Sequence, residues 1–353
     1  MKAQVFYEAE KMKLEEIEVP AINSNEVLIK VKACGICGSD LAYFFGRTPL
    51  DTKSGVGPLV LGHEFSGVIC KVGENVKNYK IGDRVTVNPP LPCNACDQCR
   101  KGNPNLCENS FPLGTAQNGA YAEYVKAPYE HVFQIPPELG FEEAAIMEPF
   151  ACAMRGVQKL DVKPGETVAI FGAGSIGLMM LQLIKSSGAG RIMVSDISDF
   201  SLETARELGA NRVVNTQNEN SPYYQTDLST YVRDFTQGKM IEKVIVPTGA
   251  LSAMQQALAV SGKKSNVVFF GLPGANAKLE IPMLQTLQME KTLQFSWLAP
   301  LMWPSAIQAI KEKKVDLKRL ITHQFKLEDL ETAIRMIDAR KQNVIKSIVV
   351  FSD

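Results

Sequence analysis

The segment TVAIFGAGSIGLMMLQLIKSSG, residues 167–188, constrains the fold more than any other part of the chain. Its first five residues are a short continuous apolar run, as in a strand covered on both faces. Gly172, Gly174 and Gly177 follow in the spacing G-x-G-x-x-G, with Ile176 inside the turn, and a helical pattern leaves the last glycine. A strand entering such a loop and a helix leaving it are the context in which the pattern marks a dinucleotide site. Gly172 permits the tight turn, Gly174 lets a pyrophosphate approach the backbone, and Gly177 lets helix and strand pack closely. The helix N-terminus then offers N–H groups and the positive end of its dipole to phosphate.

The next apolar run, RIMVSD, ends at Asp196. A carboxylate there accepts hydrogen bonds from ribose hydroxyls and repels a 2′-phosphate. No arginine lies in Asp196, Ile197, Ser198, Asp199 to neutralise such a phosphate, so NAD is expected in preference to NADP. An unrelated nucleotide fold with a glycine turn is the alternative. Further short runs, RVVN, KVIVPTG, NVVFFGLPG and TLQFSW, alternate with helical patterns such as SLETARELG. That alternation predicts an α/β, doubly wound parallel sheet covered on both faces.

Residues 1 to about 150 read differently. EVLIKVKAC and GDRVTVNPP alternate apolar and polar residues as half-buried strands do, with frequent Gly and Pro between. FEEAAIMEPFACAMRGVQKL reads as a helix interrupted at Pro149. The tail carries two amphipathic helices, WPSAIQAIKEKKV and LEDLETAIRMIDARK, and a strand, KSIVVF. A chain of 353 residues exceeds one comfortable core, so two domains are expected.

Lys plus Arg equals Asp plus Glu, 38 each, so the chain has no global attraction for nucleic acid or an anionic membrane. The first twenty residues lack an apolar signal core, and no apolar stretch approaches about 18 residues. A cytoplasmic protein is expected, and there disulfides are rare. Its eight cysteines then call for burial, catalysis or metal.

Four of them lie in CNACDQCRKGNPNLC, spaced Cys93-x2-Cys96-x2-Cys99-x7-Cys107. Cys-x2-Cys turns let two thiolates face one point, and a second pair closes a tetrahedron about 2.3 Å from zinc. Four thiolates leave no open position, so this zinc is expected to be structural. An iron–sulfur cluster is the main alternative; a nucleic-acid zinc ribbon does not fit a loop with so few basic residues. Among the three histidines, His131 and His323 read as surface or packing residues. His63 lies beside Glu64 in LGHEFSG, but Gly67 occupies the place where a zincin helix has its second histidine. By itself, a histidine placed like His63 is a satisfied structural residue more often than a ligand.

Read together and in order, GICGSD, GHEFSG, the four-cysteine lobe and the glycine loop resemble the zinc-dependent medium-chain dehydrogenase/reductase family over essentially the full length. The polyol, sorbitol-dehydrogenase-like branch is the most similar. The resemblance implies a GroES-like β-barrel-derived catalytic domain over residues 1–150, with the lobe at 93–107 and a return segment at 292–353. It implies a Rossmann domain over 151–291, and a homotetramer or homodimer. It implies a catalytic zinc held by Cys37, His63 and Glu148, with Glu64 in the place of an acid that can approach the metal. With the lobe, that makes two zinc ions per chain. Asp40 matches the carboxylate that orients the histidine ligand, Ser39 the hydroxyl that takes the alcohol proton, and Tyr43 a substrate-contacting tyrosine. The implied reaction interconverts a secondary alcohol, such as a polyol or sugar derivative, and its ketone, with the nicotinamide in a cleft between the domains. An L-threonine 3-dehydrogenase-like enzyme shares both zincs and the cofactor domain. A non-catalytic NAD-binding protein would keep the folds without the catalytic metal.

Four positions depart from the family pattern. Ala42 replaces a histidine that ends the proton relay in many relatives. Arg155 replaces a frequent histidine and suits either an anionic group or a helix surface. Leu298 and Ala299 stand where sorbitol dehydrogenase has a substrate-contacting Arg-Tyr pair, which implies a less polar pocket. Cys34 forms a C-x-x-C with Cys37, but a redox pair is expected to need a helix N-terminus that the sequence does not signal. Cys34, Cys70 and Cys152 are expected to be buried as small hydrophobes.

Overall fold

The computed structural model describes residues 1–48, 58–339 and 342–352. The chain divides into two compact units. One comprises Met1–Ala151, Pro300–Lys311 and Leu317–Asp353, the other Cys152–Ala299 and Glu312–Asp316.

In the second unit, the apolar run Thr167–Phe171 forms a strand with every residue buried. Among the described residues it belongs to a six-stranded sheet. The order is Arg212–Asn215, Arg191–Asp196, Thr167–Phe171, Ile241–Val246, Ser261–Phe269, Thr292–Phe295. Every neighbouring pair is parallel. In chain order this is 3-2-1-4-5-6, the doubly wound arrangement whose ligands bind outside the carboxyl ends of the strands where the order reverses. The glycine loop lies at that reversal, between the Thr167–Phe171 strand and the helix Ser175–Ser186. One core of this unit gathers Ala169, Phe171, Met193, Val244 and Val267 with Met254 and Leu258. Each large apolar side chain buried this way contributes roughly 1.5–3 kcal/mol.

In the first unit, a sheet that is seven-stranded among the described residues runs Ile321–Phe325, Lys346–Val350, Glu26–Gly35, Glu64–Val72, Arg84–Val87, Val132–Gln134; Tyr124–Pro128 also pairs with Glu26–Gly35. The tail strand Lys346–Val350 pairs antiparallel with the end of Glu26–Gly35, in the register Ile348 to Gly35. Glu64 pairs with Gly35 from the other side. The sheet therefore brings residues 34–37, 63–64 and 346–347 together from three distant parts of the chain.

The expected helix interruption falls elsewhere than Pro149. The chain breaks at Ile146, between helices Phe141–Ala145 and Met147–Leu160. Pro149 lies in the first turn of the second helix, where a missing N–H costs no intrahelical bond. The tail helix spans Leu330–Asp338, and the last two positions of its expected run lie outside the described residues. None of the described helices is long and apolar enough to cross a membrane.

Candidate active site

Two groups of side chains in the described residues offer ligand atoms within 4.8 Å of one another: Cys93, Cys96, Cys99 and Cys107, and Cys37, His63 and Glu64. In the lobe, the short helix Asp97–Arg100 begins right after Cys96, and backbone N–H groups point at the sulfurs. Cys96 N donates to Cys93 Sγ at 3.3 Å and Cys93 N to Cys107 Sγ at 3.2 Å. Donation from Ala95 and Cys96 brings the Cys93 thiol down to about 6, and so favours its thiolate. Desolvation and the crowding sulfurs push Cys99 up to about 12. Four thiols that compete for negative charge at one point are what a divalent cation with sulfur preference resolves.

The second group is built on the sheet end. Cys37 is the N-cap of helix Gly38–Phe44, so the setting that the sequence did not signal is present. A redox pair still does not follow. Cys34 is fully buried, and burial pushes its thiol well above the ordinary value, which leaves it protonated and inert. Cys152 is likewise buried, whereas Cys70 is only half-buried, on an outward-facing position of its strand. Asp40, in the first turn of the helix, closes back on Cys37: its Oδ2 accepts the Cys37 N–H at 2.9 Å. Its Oδ1 faces His63 Nδ1 at 3.6 Å, and neither atom has a hydrogen-bond partner. Burial opposes a charge on His63, but Asp40 and Cys37 outweigh it and raise its pKa well above the ordinary range. Asp40, also buried, is held below the usual carboxylate range by His63, Cys37 and Tyr121 against its own desolvation. A thiol, an imidazole and a carboxylate around one point, with an anion behind the imidazole, fit a zinc ion held by Cys37, His63 and Glu64.

Glu148 lies in the first turn of the helix Met147–Leu160, half-buried and outside this trio. Ser39 lies half-buried beside Asp40. Tyr43 is 3% exposed and belongs to the hydrophobic core of its unit. Ala42 is half-buried, and Arg155 Nη1 donates to Gln158 Oε1 at 2.5 Å. Three neighbours were not singled out in the sequence. Lys346 forms a buried ion pair with Glu64 Oε2 at 2.5 Å and donates to Ile36 O at 2.9 Å. Gly35 admits that carboxylate, since a Cβ there would stand 2.2 Å from Glu64 Oε2. Tyr121 OH donates to Asp40 Oδ2 at 2.7 Å. A lysine opening a strand with no other charge, KSIVV, was the available signal for Lys346; nothing local marks Tyr121.

The glycine loop is shaped by contact as well as conformation. Gly172 has φ +127°, and a Cβ on Gly177 would stand 1.9 Å from Gly172 O, so helix and strand close only without one. A Cβ on Gly174 would meet nothing within 4 Å, the open space a pyrophosphate needs. Ile176 lies in the first turn of the helix. Asp196 is fixed by three backbone donors: Ala173 N to Oδ2 at 2.6 Å, and Ile197 N and Ser198 N to Oδ1 at 2.8 and 2.9 Å. A carboxylate has about four lone-pair sites, so Oδ2 keeps one for a ribose hydroxyl.

The model of the alcohol dehydrogenase GroES-like domain matches residues 23–137, and that of the zinc-binding dehydrogenase domain matches residues 175–312. Sorbitol dehydrogenase of Bacillus subtilis (strain 168) is 34% identical, covering 99% of this chain and 97% of its own. D-arabitol-phosphate dehydrogenase of Enterococcus avium is 35% identical over 92% and 90%. L-threonine 3-dehydrogenase of Bacillus subtilis (strain 168) is 32% identical over 92% and 91%. Among solved structures, an alcohol dehydrogenase from E. coli CFT073 complexed with NADH superposes with TM-score 0.90 at 28% identity, over 99% of both chains. A zinc-binding dehydrogenase from Sinorhizobium meliloti 1021 bound to NADP superposes with TM-score 0.89 at 28% identity, also over 99% of both. With both domain models matched in order and dehydrogenase relatives aligned end to end, the chain belongs to the zinc-dependent medium-chain dehydrogenase/reductase family and is an alcohol dehydrogenase of its polyol branch.

Proposed function

We propose that the protein interconverts a secondary alcohol of the polyol or sugar-alcohol class and its ketone, using NAD and two zinc ions per chain. The observation that carries this reading is the convergence of Cys37, His63 and Glu64 with Asp40 behind the imidazole. When bound, zinc supplies the Lewis acid that lets an alcohol lose its proton near neutral pH, and the nicotinamide accepts the hydride. The chain's own part is placement. Cys37 and His63 would hold the metal, Glu64 or Glu148 would supply the carboxylate, and Asp40, facing Nδ1, would favour the His63 tautomer that leaves Nε2 free to ligate. Ser39 takes the alcohol proton. With alanine at position 42, that proton leaves by water or ribose hydroxyls. The lobe cysteines hold the second zinc and do no chemistry. Gly172, Gly174 and Gly177 cradle the pyrophosphate, and the anion of Asp196 favours NAD over NADP. Leu298 and Ala299 fit a cyclic polyol or other less polar secondary alcohol better than sorbitol.

A panel of polyols, sugar phosphates, amino alcohols and simple secondary alcohols, read by NADH absorbance beside zinc analysis, tests the reading. The expected result is the highest kcat/KM on a secondary diol or polyol with NAD, and two zincs per chain. A maximum on threonine would transfer the reading to the amino-alcohol branch, which the 32% identical threonine dehydrogenase favours. One zinc and no turnover would leave a nucleotide-binding protein.

The reading includes a homodimer or homotetramer, in the cytoplasm. Thr292–Phe295 is an edge strand whose Phe295 is 69% exposed, and the preceding helix, Met283–Gln288, exposes Met283, Leu284 and Leu287 by 68–72%. An unprotected apolar sheet edge invites pairing, and a two-fold axis through it closes the assembly at two copies. Leu287→Glu is expected to shift the mass in light scattering toward the monomer with little loss of thermal stability, because the side chain is 71% exposed in its own chain.

A further inference from the structure

Tyr121 lies deep under the Cys37–His63–Glu64 site and is 0% exposed. It is bound to both halves of that site. Its backbone N–H donates to Leu61 O at 3.0 Å, and the neighbouring Ala120 N donates to Gly62 O at 2.8 Å. Its ring lies against Gly62, where a Cβ would stand 3.0 Å from ring carbons. The segment that presents His63 is thus seated on Tyr121. The hydroxyl reaches the other half. It donates to Asp40 Oδ2 at 2.7 Å, with Gly35 O a longer second acceptor of the same proton at 3.1 Å.

Both of those partners can only accept, so the phenol must be the donor. Asp40 Oδ2 therefore receives two donors from fixed directions, Tyr121 OH and Cys37 N. Two donors on one oxygen set the rotation of the carboxylate. That rotation leaves the other oxygen, Oδ1, facing His63 Nδ1. A carboxylate so held directs the proton of His63 to Nδ1 and leaves Nε2 as the ligand atom. Removing the hydroxyl would free the carboxylate to turn and would leave its charge less compensated in a buried place.

We propose that Tyr121 is a positioning residue of the catalytic-metal site, whose hydroxyl fixes the Asp40 carboxylate that orients His63. This rests on the reading that Cys37 and His63 hold the catalytic zinc. The change that tests it is Tyr121→Phe, which keeps the ring against Gly62 and deletes only the donor. Release of zinc from the full-length, zinc-loaded protein to a chromogenic chelator is followed in time. The phase that disappears in His63→Ala belongs to the catalytic site, and the remaining phase to the lobe. In Tyr121→Phe the catalytic-site phase is expected to accelerate about 10-fold, the low end of the 10- to 100-fold loss of metal affinity that follows removal of a histidine's outer partner, since Tyr121 acts one bond further out. The lobe phase stays unchanged, and the visible spectrum of the cobalt-substituted protein shifts. Made on an Asp40→Ala background, Tyr121→Phe adds nothing further, because the two act through one bond.

An unchanged catalytic-site phase overturns the proposal. So does equal acceleration of both phases, which reports general loosening, or an additive effect on the Asp40→Ala background. A wild-type protein holding a single zinc that survives His63→Ala would instead remove the catalytic-zinc reading itself, and this proposal with it.

Discussion

In His63→Ala, zinc is expected to fall from two ions per chain to one, and kcat/KM by about 10³-fold or more. The trio Cys37, His63 and Glu64 is the one mixed thiol–imidazole–carboxylate cluster among the described residues. Without the imidazole, two protein donors remain, too few for a site of three ligands and an open position. Lewis-acid stabilisation of developing negative charge is worth several kcal/mol, and each 1.36 kcal/mol is tenfold in rate. A zinc held by the lobe would be insulated from the change, since the four sulfurs that would bind it come from residues 93–107 alone. Binding of NADH is expected to persist, because the glycine loop and Asp196 belong to the other compact unit. Metal analysis and NADH fluorescence titration on the same preparation check both halves. Retention of both zincs would show that His63 is not a ligand. The parallel variants Glu64→Gln and Glu148→Gln then assign the carboxylate: the one that lowers zinc content holds the metal.

What the sequence made legible follows from the range of each interaction. The glycine loop, the buried strands around it and the four-cysteine lobe are local. Their spacing fixes their geometry wherever the chain folds, so 167–188 and 93–107 could be read directly. Cys37 and His63 gained their meaning from motif order, because no local rule brings residues so far apart to one point. Their meeting depends on the pairing of Glu26–Gly35 with Glu64–Val72, a register set by the whole sheet. Tyr121 and Lys346 were illegible for the same reason in stronger form. Each reaches the site from a segment that carries no motif, and each matters through one side-chain atom. The helix break at Ile146 was misplaced because a proline signals a boundary without saying on which side of it the helix begins.

Lys346→Met is expected to destabilise the metal-free protein by about 3–5 kcal/mol, the range for removing one partner of a buried ion pair. The pair is almost dry: the side chains of Lys346 and Glu64 are 5% and 1% exposed. Methionine matches the stem of lysine and keeps its packing, so the loss is that of a countercharge. Glu64 is out of reach of water where it lies, 1% exposed and pressed against Gly35, where a Cβ would stand 2.2 Å from its Oε2. Adding Glu64→Gln to Lys346→Met removes the orphaned charge and is expected to restore most of the stability, as measured by urea unfolding. Burial opposes the charge on Lys346, yet Glu64, Cys37 and Asp40 hold its pKa above the ordinary 10.5. A base whose folded pKa is raised contributes stability that is complete below its unfolded value and is lost as pH climbs through the folded one. The wild-type protein should therefore lose this contribution only in strongly alkaline solution, above about pH 10, while Lys346→Met shows no such step. Zinc offers the stranded carboxylate another cation. The variant is expected to gain more stability from zinc loading than the wild type does. Equal gains in both would mean that Glu64 stays clear of the metal and that its charge is matched by Lys346 alone.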